Sequence, residues 1–124
     1  CLFRFLLHSS LNPLGDITMP KYLAQGNYSA EGARGLVKEG ASGRRAVVDK
    51  LVKSMGGTLE CLYFAFGDTD VFAIVDMPDN VSACALVTAI NTSGAVSLRT
   101  TVLLTVEEVD IATKKLPVYR PPGQ

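Results

Sequence analysis

The chain has no tryptophan, one histidine, three cysteines and only 19% charged residues among its 124. Each shortage excludes a class of chemistry. His8 is the sole imidazole and it precedes Met19, so residues 19–124 hold no Ser-His-Asp or Cys-His catalytic set and no histidine ligand for a metal or haem. Cys1, Cys61 and Cys84 make no Cys-x-x-Cys pair. Their odd number and wide spacing do not suggest a disulfide framework, which fits a reducing, cytoplasmic setting. Cys61 and Cys84 fall on apolar positions, where a thiol is expected to pack as a small hydrophobe. The longest run without charge, residues 80–98, is broken by Asn, Ser and Thr and does not read as a membrane span. The 12 Lys and Arg are matched by 12 Asp and Glu, so no basic surplus points to nucleic acid.

What is present is apolar matter for one core: 48% hydrophobic residues, with four Tyr and five Phe. Residues 1–18 differ in character from the rest and read as an N-terminal extension outside the fold, with Met19 as a natural start. From there the apolar period switches repeatedly. Residues 21–28 alternate as a strand, with Tyr22, Ala24, Gly26 and Tyr28 on one face and Leu23, Gln25 and Asn27 on the other. Ser29 opens a helical stretch that should break near Gly40, since each interior glycine costs about 1 kcal/mol relative to alanine. Ser42 is expected to cap a second helix carrying Val47, Val48, Leu51, Val52 and Met55 on one stripe and stopping at Gly56-Gly57. Residues 58–66 and 71–76 are β-branched and aromatic around the turn Gly67-Asp68-Thr69-Asp70, which makes a hairpin. Pro78-Asp79-Asn80 begins a helix over 81–91, and residues 95–104 return as a strand. Thr105 and Glu108 form a capping box for a last helix stopped by Pro117. The expected fold is an α+β, ferredoxin-like βαββαβ sandwich with a C-terminal helix over residues 19–116, followed by an extended tail, 117–124.

Such a sheet has one face covered by helices and one bare. Plain alternation puts Leu59, Cys61, Tyr63 and Ala65 on one side of the hairpin and Leu62, Phe64 and Phe66 on the other, making both faces apolar. The bare face and the uncharged helix imply packing on a second copy, as a homodimer or higher oligomer.

Four segments, Met19-Pro20-Lys21-Tyr22, Gly40-Ala41-Ser42-Gly43-Arg44-Arg45, Tyr63-Phe64-Ala65-Phe66-Gly67 and Pro78-Asp79-Asn80-Val81-Ser82-Ala83, resemble the GYD domain family of small bacterial proteins. The resemblance runs over residues 19–124. It implies a dimeric α/β-barrel, in which two ferredoxin-like units oppose their sheets, and it brings no established function. The Gly-x-Tyr-Asp pattern of the family name stands here as Gly67-Asp68-Thr69-Asp70, with Thr69 in the tyrosine position, so no role of that tyrosine carries over. The lack of histidine in residues 19–124 also removes the haem-oxygenase activity found among some relatives in that superfamily.

Arg44 and Arg45, at a glycine-flanked helix start, could take a carboxylate or phosphate, or form an ion-paired, solvated face. Gly40-Ala41-Ser42-Gly43 lacks the Gly-Lys-Ser/Thr of a P-loop. Asp68 and Asp70 suit a turn and Asp76 closes a strand, so no metal site is expected. Gln25, Asn27, Glu60, Tyr63 and Arg99 are polar on otherwise apolar strands. Such groups either line a small-molecule pocket or, as with Glu60 and Arg99, sit at sheet edges or pair with one another. The leading expectation is a homodimeric barrel binding a small apolar or anionic molecule between sheet and helices, with no metal or cofactor. The alternatives are a cofactor-independent oxygenase or isomerase using Tyr63, Glu60 or Asn27, and a structural assembly module with a filled interior.

Overall fold

The computed structural model describes residues 19–124; the expected N-terminal extension, with Cys1 and His8, lies outside the described residues. Its elements run β1 (Lys21–Tyr28), α1 (Ala30–Glu39), α2 (Ala41–Ser54), β2 (Thr58–Phe64), β3 (Val71–Asp76), α3 (Asn80–Thr92), β4 (Val96–Leu103) and α4 (Val106–Thr113). The strands make one antiparallel sheet ordered β2-β3-β1-β4, the ferredoxin-like arrangement that the alternating pattern implied.

Local chemistry sets the helix boundaries. Ser29 Oγ accepts the Gly32 amide at 3.0 Å, which starts α1. Gly40 ends it at φ 85°, a conformation that costs an L side chain but not glycine. Its amide donates to the Leu36 carbonyl at 2.8 Å, and its own carbonyl receives the Arg44 amide at 2.9 Å. The break thus falls where expected, but Gly40 is the cap of α2; Ser42 lies inside the helix, and no side chain caps its start. At α3, Asp79 Oδ1 accepts the Ser82 amide at 2.8 Å, and that bond holds the Asp79 carboxyl below its ordinary value. The reciprocal Thr105–Glu108 box opens α4.

One expectation about strand faces is overturned. The pairing of β2 with β3 shifts register between Leu59 and Cys61. This bulge turns Leu59 into the core beneath the helices, while Cys61 and Tyr63 stay on the opposite face. The cysteines also differ from expectation: Cys61 is half-buried and disulfide-bonded, and Cys84 is an exposed free thiol on the outer side of α3.

Tyr22, Val52, Leu59, Val75, Met77, Ala83 and Leu86 form the buried core between the sheet and the helices. On the other face Leu23, Phe72 and Ile74 are half-buried and Tyr63 is 62% exposed. Among the described residues, α4 packs extensively on no other element, and its Val109 and Ile111 are exposed. No helix of the described residues is long and apolar enough to cross a membrane.

Candidate functional site

The helix-facing side of β1 reads Tyr22, Ala24, Gly26, Tyr28. Ala24 pairs with Ala73 on β3 and with Thr100 on β4, so three small side chains stand abreast across the middle of the sheet. The larger residues facing them, among them Val48 and Leu51 of α2 and Leu86, Val87 and Ile90 of α3, do not reach down to fill the gap. A cavity of about 470 Å³ results. It falls within the roughly 300–1,000 Å³ of small-molecule sites. Packing is dense around Met77, Val52 and Tyr22, and the hollow extends from there towards Tyr28, Ser93 and Val96.

Few polar groups touch this space. The Tyr22 hydroxyl donates to Asn80 Oδ1, and burial raises its pKa. Burial also raises the Tyr28 phenol above its ordinary value, against the opposing pull of the Arg44 guanidinium. Arg44 Nη1 lies 3.4 Å from Glu39 Oε1, with both side chains about a third exposed.

Tyr28 is held from behind. Its amide donates to Asp70 Oδ2 at 2.9 Å, the Asp70 amide donates to the Gly26 carbonyl at 2.9 Å, and Asn27 Nδ2 donates to the Asp68 carbonyl at 2.7 Å. Arg99 completes the lacing, donating to Thr69 Oγ1 at 3.2 Å and to Asn27 Oδ1 at 3.4 Å. The turn between β2 and β3 is thereby tied to the end of β1 that borders the cavity.

Glu60 accepts from Lys21 Nζ, which also donates to Asp76 Oδ1 at 2.9 Å. Burial works to lower the Lys21 pKa, but hydrogen bonds and charge from both carboxylates outweigh it, and the net shift is upward. The partner of Glu60 is therefore Lys21 and not Arg99. Glu60, Tyr63, Arg45 and Ser42 line a second, open groove of about 570 Å³ along β2 and α2.

Of the residues singled out from the sequence, then, Arg44 alone lines the helix–sheet cavity. Arg45, Glu60 and Tyr63 share the groove beside β2, Asn27 and Arg99 belong to the turn cluster, and Gln25 lies between Phe72 and Arg99 on the face away from the helices. Asn27 is not brought to Glu60 or Tyr63. The sequence reading missed Ala24, Ala73 and Thr100, whose only signal is small size at paired strand positions. Asp76 sits at the end of the sheet away from Asp68 and Asp70, and among the described residues no group of His, Cys, Asp and Glu could hold a metal ion.

No curated protein and no solved structure matches the chain. Residues 22–112, which take in β2 to β4 and nearly all of β1 and α4, match the GYD domain; the chain belongs to the GYD domain family.

Proposed function

We propose that this domain binds a small, largely apolar molecule between its sheet and helices, without a metal, and that it works as a homodimer joined through the bare sheet face. One observation carries the reading: the cavity of about 470 Å³ floored by Ala73, Ala24 and Thr100. Ala24 and Ala73 on this floor keep part of their surface in water, and covering apolar surface gains about 25 cal/mol per Å². A bound apolar molecule would supply that cover. Support for the dimer comes from the half-buried Leu23, Phe72 and Ile74, the exposed Tyr63, and the apolar residues of α4, which among the described residues packs extensively on no other element.

The neutral dye N-phenyl-1-naphthylamine, which fluoresces in apolar surroundings, tests the cavity. The full chain should enhance its emission saturably, at one dye per chain, and Ala73→Ile should abolish the enhancement. A signal that fails to saturate, or that Ala73→Ile leaves intact, overturns the reading. Sedimentation velocity tests the dimer, with Phe72→Glu expected to yield monomers.

A further inference from the structure

Among the described residues, Arg44 is the one charged side chain on the cavity wall; the remaining lining is apolar apart from Tyr22, Tyr28, Ser93 and Thr100. A guanidinium offers five donors in a planar fork. Its contact with Glu39, at 3.4 Å, engages one nitrogen. That contact is weakly held, because both side chains are about a third exposed, which screens the pair. The Glu39 side chain lies over the first turn of α2 where Gly43 leaves room: a Cβ on Gly43 would meet Glu39 Cγ at 3.1 Å.

We propose that the ligand of this cavity is an apolar monocarboxylic acid, its hydrocarbon or aryl body against Ala24, Ala73 and Ile90 and its carboxylate on Arg44, which exchanges Glu39 for it. The inference rests on the cavity reading above and gives the class of molecule. One guanidinium neutralises one carboxylate; a dianionic phosphate would leave charge unmatched against an apolar wall. Tyr28, a neutral phenol whose ionisation burial further opposes, supplies a donor beside Arg44. Glu39 then acts as an internal competitor that holds the guanidinium in place when the cavity has no acid in it.

The test compares decanoate with decanol, which share a chain and differ in charge, by displacement of N-phenyl-1-naphthylamine from the full chain. Decanoate should bind about tenfold more tightly, the scale of one charge-assisted contact. Arg44→Met should bring the two affinities level. Glu39→Gln and Gly43→Ala, which free Arg44 without removing it, should each tighten decanoate about threefold and leave decanol unchanged. Equal affinities in the wild type, or a preference for acid that survives Arg44→Met, would overturn the inference while leaving the cavity reading standing. Failure of the dye itself to bind would overturn both.

Discussion

Replacing Ala24 with isoleucine separates a hollow interior from a filled one by the sign of its effect. The new branches would point from the centre of β1 towards the helices, above a floor whose neighbouring residues are Ala73 and Thr100. In a well-packed core, such an enlargement costs about 1–3 kcal/mol through strain. Here the three added carbons enter space already present, each gaining about 0.8 kcal/mol on burial, or about 2.4 kcal/mol together. Ordering the isoleucine side chain takes back about 0.5–1 kcal/mol. The net expectation is a gain of about 1.5 kcal/mol, seen as a raised urea midpoint with an unchanged m-value at fixed protein concentration. The same variant should lose dye binding, because the added branches occupy the site. A loss of about 1 kcal/mol or more would refute the reasoning, since it would mean that helices and sheet already meet there.

Two glycines of α1 should respond in opposite directions to alanine. A Cβ on Gly32 would lie 2.0 Å from the Ala95 carbonyl oxygen, so Gly32→Ala should cost about 2 kcal/mol or more in urea unfolding, whereas Gly35, with nothing within 4 Å, should gain about 1 kcal/mol as alanine. Lys21 has a folded pKa above its ordinary 10.5, so its contribution is fully present at neutral pH and is lost as pH climbs through the raised value. Wild-type stability should therefore decline above pH 10.5 more steeply than that of Lys21→Met, as urea titrations across that range will read. Asp70→Ala strips the acceptor from the Tyr28 amide and should cost about 1–2 kcal/mol, while Asp70→Asn, which keeps a carbonyl oxygen in place, should recover most of it.

The elements were legible because their signals are local. Alternation over β1, the glycine at the α1–α2 break, the Pro78-Asp79-Asn80 start of α3 and the Thr105–Glu108 box each act within a few residues, and each appears where the pattern put it. The side to which Leu59 turns was not legible, because a bulge depends on how the partner strand is registered and leaves no mark in a period-two pattern. The candidate site was legible only at Arg44. A strategy of picking polar residues on apolar strands finds side chains that need partners, and most of those partners are structural. Glu60 answers Lys21, and Asn27 and Arg99 tie down a turn. The cavity arises instead from what is small. Ala24, Ala73 and Thr100 become one floor only once three strands are set side by side, a juxtaposition that spacing along the chain does not reveal.

The most direct test of the central claim is a methyl and amide NMR titration of the full chain with the neutral dye. The account expects saturable shifts that cluster on Ala24, Ala73, Val48, Val87 and Ile90, at one dye per chain. Shifts that centre on Leu23, Phe72 and Ile74 of the bare face, with the cavity methyls unmoved, would contradict it.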